Sequence, residues 1–439
     1  MSFSNDRRLL LFGLALALAG ILGAATLLPL FPKPAVDPSK PPLVPGVTPI
    51  QRVVVIMKEN HGFDNYFGSF PGADGIPDNI TVPDGEGGLL RPHWLNTTWT
   101  PDLPHSREAM IQSYDEGRND LFGVVANVAG PGLGNTSVGY YDDRELPWYW
   151  SVARNFTLAD RYFSSMLGPT DPNRLYSIAG QAGGLVNNPV SGSGVDVTTI
   201  FDQLEERGIS WRYYGITNAI ETTVALQLPH IAADPSMASK VVHLAALAQD
   251  ISSDNFPSVT YIDPNGFLPD SLKISEHPPG DVTVGQNWTA AVIESIMASP
   301  IWPSCVIFLT WDESGGFYDH LPPPQVDEWG YGFRVPMIII SPFSRRDFVD
   351  HEVMDHTSIL KFIDENWNLP ALTPREENAN DMMSAFVFHD GGMKKVNGAR
   401  PAGPPTTRVE LSSLEAFAQD SALIKEAARV RLNRDQLST

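Results

Sequence analysis

Val53-Val54-Val55-Ile56-Met57-Lys58-Glu59-Asn60-His61 joins five consecutive apolar residues, mostly β-branched, to a lysine and then to a polar triplet. A short run that is apolar without alternation reads as a strand buried on both faces, the signature of a parallel sheet. In open α/β sheets ligands sit in the crevice beyond the carboxyl ends of the strands, so Glu59, Asn60 and His61 stand where a site is expected. Working outward, Val306-Ile307-Phe308-Leu309-Thr310-Trp311 is a second such strand, ending at Asp312-Glu313, and residues 335–341 are a third. Shorter strands are expected at 209–214 and at 258–262, the latter ending at Asp263-Pro264. Between them, 199–208 reads as a helix closed by glycine and 286–299 as a second helix. In 356–366, Ile359, Leu360 and Ile363 fall on one side of a third. Strands alternating with helices predict an α/β fold, a mainly parallel central sheet with helices on both faces.

The chain has 439 residues, 42% of them apolar, enough for a large core. A formal net charge of −21 argues against a nucleic-acid partner, whose phosphates would be repelled. The single cysteine, Cys305, excludes an intramolecular disulfide and a cysteine-based zinc site. Arg7-Arg8 precede an uncharged apolar run at 9–28, as long as a minimal bilayer span, while Gly23-Ala24-Ala25 also suits signal-peptide cleavage. Residues 1–30 are therefore read as a signal peptide or an N-terminal membrane anchor, and the rest as exported, either secreted or held at the cell surface. Residues 31–50 form a Pro-rich spacer, 51–395 the folded domain, and 396–439 a C-terminal tail expected to be helical. Within the domain, 62–88 reads as an irregular segment pinned by Phe63, Tyr66, Phe67 and Phe70. Tracts near 75–105 and 127–145 are loops long enough to cover or line a site.

Two buried strands ending in acids place three carboxylates (Glu59, Asp312, Glu313) and the Asn60 amide oxygen where they can converge on one divalent cation. Without it the carboxylates would repel one another; the alternative is that each pair caps its own turn. In Gly168-Pro169-Thr170-Asp171-Pro172-Asn173-Arg174, Pro172 suits the first position of a helix and Thr170 or Asp171 the cap before it. Thr170 is either that cap, which the pattern alone favours, or a nucleophile whose hydroxyl a cation activates. His105, His277 and His320 lie in polar, loop-like settings and are candidates for acid–base chemistry or phosphate contact, against the plainer reading of solvated or structural histidines. His61 and His356 read as supporting or helix-capping groups. Arg174 either grips a phosphate bidentately or pairs with Asp171 or another acid.

Taken together, six pieces resemble the bacterial phospholipase C and acid phosphatase family of phosphoesterases, a branch of the alkaline phosphatase superfamily. They are Glu59-Asn60-His61-Gly62-Phe63-Asp64-Asn65-Tyr66-Phe67-Gly68, the segment from Gly168 to Arg174, Glu276-His277-Pro278-Pro279, Trp311-Asp312-Glu313-Ser314-Gly315-Gly316-Phe317-Tyr318-Asp319-His320, Arg334-Val335-Pro336 leading into Ile340-Ser341-Pro342, and Asp355-His356-Thr357-Ser358. The resemblance implies an alkaline phosphatase-like fold and a metal-dependent hydrolase of phosphate esters, acting through a phosphothreonine on Thr170. It implies a metal held by Glu59, Asn60, Asp312, Glu313 and Thr170, with His105 and His277 at the phosphoryl or leaving group. His320 falls on a family motif position, and this resemblance outweighs the cap reading of Thr170. Gly62, Asn65 and Ser314 depart from the usual residues at positions that are not proposed ligands. An oxygen-rich set favours Ca²⁺, Mg²⁺ or Mn²⁺, and a histidine at the site would admit Zn²⁺. The expected substrate is a phosphate ester or phospholipid, with membrane contact through the N-terminal segment if it is uncleaved. The alternatives are a sulfatase or nucleotide phosphodiesterase of the same superfamily, or a catalytically silent surface binding protein.

Overall fold

Each apolar run becomes a strand because the sheet buries it on both sides. The computed structural model describes residues 44–189, 194–215, 224–252, 256–265 and 273–388. The 9–28 run and the 396–439 tail lie outside these residues, and among the described residues no helix is long and apolar enough to cross a membrane. The central sheet has eight strands: β1 (Arg52–Lys58), β2 (Thr157–Ala159), β3 (Trp211–Gly215), β4 (Val241–His243), β5 (Val259–Ile262), β6 (Cys305–Trp311), β7 (Met337–Ile340) and β8 (Phe348–Asp350). Their order is β8-β2-β7-β6-β1-β5-β3-β4. β1 lies inside the sheet, parallel to β5 and to β6, with Ile56 opposite Ile262 and Lys58 opposite Trp311. Every residue of β1 and β6 is buried, as the unbroken apolar runs require.

The sheet is mainly parallel, with one exception. β7, which the pattern alone treats like the other buried strands, runs antiparallel to both β6 and β2. Residues 312–336 contain no crossover helix, so the chain turns back from the end of β6 and re-enters the sheet from the same edge.

Six helices matter for the site: α1 (Phe63–Phe67), α2 (Pro147–Asn155), α3 (Thr170–Ala179), α4 (Ile200–Arg207), α5 (Val282–Ala298) and α6 (His356–Trp367). They cover both faces. Phe308 of β6 packs on Phe362 of α6, ring centroids 5.2 Å apart, whereas Trp311 packs on Tyr149 of α2 at 5.3 Å. Positions three apart on a strand point to opposite sides, so α6 and α2 lie on opposite faces. α4 is held by a reciprocal capping box between Thr199 and Asp202. α5 begins four residues earlier than the periodicity suggests, because Asp281 caps it through the Thr283 amide. α1 is a helical turn inside the stretch read as irregular, and its Phe63, Tyr66 and Phe67 are the buried anchors expected there. The end of the Pro-rich segment belongs to the domain. The Val47 amide donates to the Asn366 carbonyl (2.8 Å), and the Trp367 indole to the Val44 carbonyl (2.9 Å).

Candidate active site

Three adjacent parallel strands end in acids at one edge of the sheet. Glu59 and Asn60 follow β1, Asp312 and Glu313 follow β6, and Asp263 follows β5; all five are buried. The backbone ties two of these ends together, since the amides of Asn60 (3.0 Å) and Glu313 (2.8 Å) both donate to Oδ1 of Asp312. Convergence of the two acidic pairs, rather than independent capping, is what the fold produces.

The turn after β6 brings His105 to the same place. Gly315 has φ +65°, and a Cβ there would lie 2.0 Å from the Asn60 carbonyl oxygen; one on Gly316 (φ +75°) would lie 2.6 Å from that of Pro104. Only glycines let this turn press against both segments. Nδ1–H of His105 donates to the Leu103 carbonyl (2.7 Å), which leaves Nε2 to accept from the Asn60 amide Nδ2 (3.3 Å). That bond fixes the Asn60 amide so that its Oδ1 is the free end. Asn60 Oδ1 and Glu313 Oε1 are both buried without a hydrogen-bond partner. Burial, and after it the neighbouring Asp312 charge, pushes the carboxyls of Glu59 and Glu313 well above the usual range. Of the four carboxylates three, Glu59, Asp263 and Asp312, pair with one guanidinium, which leaves an excess of negative charge. Orphaned oxygens beside such an excess fit a hard divalent cation.

The guanidinium is that of Arg174, on α3. Nη1 donates to Asp263 (2.6 Å), Nη2 to Glu59 (2.6 Å) and the Lys58 carbonyl (3.1 Å), and Nε to Asp312 (3.3 Å). Its bonds reach acids at three strand ends and its side chain is 1% exposed, so the structure shows the acid-pairing alternative; the acids are not Asp171. Thr170 lies one turn before Arg174 on the same helical side. α3 starts at Thr170, two residues before Pro172, with Pro169 at the cap and no side-chain capping bond. Asn173 pins the approach: its Oδ1 accepts from the Met166 amide (3.0 Å), and its Nδ2 donates to the Gly168 carbonyl (2.8 Å).

The histidines separate into three groups. His277 stands beside His105, rings 5.7 Å apart and edge-on, and its Nδ1–H donates to the Pro278 carbonyl (2.6 Å), leaving Nε2 bare. Asp102 joins them, with ligand-type atoms of the three within 4.8 Å of one another. Burial, only partly offset by Asp102, lowers the His277 pKa. His61 and His356 are supports. His61 stacks between Tyr66 (4.5 Å) and Phe317 (5.1 Å), and burial lowers its pKa to about 4. His356 donates from Nε2 to the Asp312 carbonyl (2.8 Å) and receives the Tyr162 hydroxyl at Nδ1 (3.0 Å).

His320 lies in a different setting. It bonds Asp64 (2.7 Å) and approaches Asp74 (3.5 Å), within a knot where Arg334 clasps Asp64 and Asp319. Among the described residues it makes no hydrogen bond or ion pair to Thr170 or to the strand-end ligands, so its place is in an ion-pair network. Sequence reasoning named Asp263 only as the end of a strand and not as a site residue, because the strand before it, Val259–Ile262, is shorter and more polar than β1 and β6. It also missed the pair Lys58–Glu276 (3.1 Å), fully buried under the site, for which local sequence gives no sign. Cys305 is enclosed within β6, and burial pushes its thiol pKa up, which leaves no cysteine for sulfatase chemistry.

A parallel α/β sheet with a carboxylate-rich centre at its carboxyl edge, flanked by a helix-borne hydroxyl and two histidines, defines a hydrolase-type site. The chain belongs to the phosphoesterase family, whose model matches residues 50–370. It is 30% identical over 417 residues to phospholipase C B of Mycobacterium tuberculosis, covering 78% of this chain and 79% of that protein. It is 29% identical over 410 residues to the non-hemolytic phospholipase C of Pseudomonas aeruginosa, covering 77% of this chain but only 57% of that relative. Non-specific phospholipase C1 of Arabidopsis thaliana is 28% identical over 400 residues, 80% of this chain and 73% of its own. These relatives bear out the family resemblance carried by the six pieces. Among solved structures, murine ectonucleotide pyrophosphatase/phosphodiesterase 5 aligns at 10% identity and a TM-score of 0.42, over 77% of this chain and all of that one. An alkaline phosphatase superfamily protein from Vibrio parahaemolyticus aligns at 10% and 0.39, over 80% and 74%. Both likenesses are too distant to inform the chemistry.

Proposed function

We propose that the chain hydrolyses phosphate esters of the phospholipase C or acid phosphatase type, with Thr170 as nucleophile and one divalent cation held by Glu59, Asn60, Asp312, Glu313 and Thr170. The observation that carries this reading is the pair of buried, unpartnered oxygens, Asn60 Oδ1 and Glu313 Oε1, beside Asp312 at the sheet edge. When bound, the cation would supply the positive charge that eases ionisation of the Thr170 hydroxyl and offsets charge on the phosphoryl oxygens.

The chain's own residues do the rest. Arg174 holds Glu59 and Asp312 apart and in register. Thr170 Oγ1 attacks phosphorus as the bare Nε2 of His277 takes the hydroxyl proton, and Nε2 then passes that proton to the leaving oxygen as its bond to phosphorus breaks. Water then cleaves the phosphothreonine, releasing phosphate or a phosphomonoester and restoring the hydroxyl. His105 keeps the Asn60 oxygen aimed inward. Protein export and contact with a membrane surface belong to the same reading and rest on the 9–28 run.

The test uses a chromogenic phosphomonoester and its diester, with and without added Ca²⁺, Mg²⁺, Mn²⁺ or Zn²⁺. Thr170→Ala should lose turnover by several orders of magnitude while retaining most of the bound metal. Wild-type turnover in that variant would remove Thr170 as nucleophile, and no activity on either substrate with any metal would favour a binding protein.

A further inference from the structure

Glu276 sits directly beneath the site and has no part in the chemistry above. Its side chain is fully buried, and its backbone takes φ +75°, a conformation that a non-glycine residue adopts only when its surroundings hold it there. Four donors from four segments converge on the carboxylate. Oε1 accepts from the Tyr149 hydroxyl (2.5 Å) and pairs with Lys58 Nζ (3.1 Å). Oε2 accepts from the Tyr66 hydroxyl (2.9 Å) and the Trp311 indole (3.1 Å). Space for it is reserved, since a Cβ on Gly285 in α5 would lie 2.2 Å from Glu276 Cγ.

The identity of these donors matters. Lys58 is the residue before Glu59 and Asn60, and Trp311 is the residue before Asp312 and Glu313. Glu276 itself is the residue before His277. One carboxylate, carried by the residue ahead of the proposed acid, therefore grips the last strand residue ahead of each proposed metal-binding pair. Backbone bonds complete the clasp: the Glu59 amide donates to the Ser275 carbonyl (3.0 Å), and His61 Nε2 lies 3.0 Å from the Glu276 carbonyl.

We propose that Glu276 is a positioning residue that sets the register of the ends of β1 and β6 and of His277 against one another. It fixes the geometry of the cation site and of proton delivery together. This inference rests on the reading of Glu59, Asn60, Asp312 and Glu313 as metal ligands. Gln at 276 keeps the shape but has a single acceptor oxygen, so it cannot serve the donors on both sides. Outer partners of metal ligands typically contribute about 10–100-fold in affinity or activity.

Three purified full-length proteins decide it: wild type, Glu276→Gln, and Tyr149→Phe, which removes one donor and leaves the carboxylate in place. Each is measured for metal affinity by titration of the metal-free protein with Mn²⁺ and Zn²⁺, for kcat and KM on a chromogenic phosphomonoester, and for melting temperature. The expected result is a loss of roughly 10–100-fold in metal affinity and in kcat for Glu276→Gln with KM little changed. Tyr149→Phe should lose a smaller factor in the same two quantities. Metal affinity and kcat within twofold of wild type in the folded variants would overturn the positioning role, even if the melting temperature falls. Should Glu276→Gln fail to fold, Tyr149→Phe decides alone. Failure of the underlying site reading looks different: wild type itself would then bind neither metal.

Discussion

Replacing Arg174 with methionine should make thermal stability depend on the divalent cation proposed for the site. The guanidinium makes bonds of 2.6 Å to Glu59, 2.6 Å to Asp263, 3.1 Å to the Lys58 carbonyl and 3.3 Å to Asp312. Methionine matches much of the volume and removes all four, leaving three buried carboxylates without their protein cation. Breaking a buried pair from one side costs about 3–5 kcal/mol. At roughly 1–2 °C per kcal/mol for a domain of this size, melting should fall by roughly 3–10 °C in chelator. A divalent ion at 100 times its dissociation constant returns about 2.7 kcal/mol, so saturating metal should recover roughly half to nine-tenths of the loss. Arg174→Lys should fall between the two, because one ammonium cannot span three carboxylates that a planar fork reaches together. The assay is thermal unfolding by circular dichroism, with chelator and with Mn²⁺ or Ca²⁺. A melting point within about 2 °C of wild type in chelator, or a metal response no larger than wild type's, would refute the view of Arg174 as the internal counter-charge of the site.

Two further outcomes follow from buried titrating groups. Burial, and then Glu376, push the Asp364 carboxyl up to about 9, and both Asp364 oxygens lack a partner apart from that acid. The folded state thus keeps a proton that the unfolded chain releases near about pH 4, so this stability is full in acid and drains away as pH rises toward 9. Asp364→Asn should melt a few degrees above wild type at about pH 8.5 and close to it at about pH 4.5. For His320, burial lowers the pKa but the Asp64 carboxylate outweighs it, and the net shift is upward. Its contribution is therefore present in acid and lost as pH climbs through the raised value. His320→Gln should cost about 1 kcal/mol near pH 6 and much less near pH 9, with turnover per folded molecule unchanged. A large fall in kcat at every pH would return His320 to the chemistry.

Period and composition exposed the sheet because its inner strands are buried on both faces, and 53–57 and 306–311 have no other way to be satisfied. The reversal of β7 was invisible for the same reason: an apolar run looks alike in either direction, and only the length and content of the connection at 312–336 decide. The acids at the ends of β1 and β6 were legible because they follow such runs directly. Asp263 follows a shorter and more polar strand, and its partner Arg174 lies 89 residues away in sequence, so the pairing had no local mark. His320 was placed by its motif position alone, and nothing in the sequence marked its pairing with Asp64 and Asp74. Thr170 read as a cap because it stands at a helix start; the structure makes it the first helical residue, with Pro169 at the cap.

The place of β1 in the sheet also bears on how the molecule can be made. The strand nearest the N-terminus is the one that two later strands enclose, with Val53 opposite Val259 and Val306. A ribosome adding about 5–20 residues per second needs roughly 10–40 s to make the 200-odd residues separating β1 from its first neighbour. During that time the five apolar residues 53–57 have no native partner, and high contact order slows closure further. Translocation or a holding chaperone would have that interval in which to act, and a domain begun at β1 and truncated before residue 311 should not fold at all.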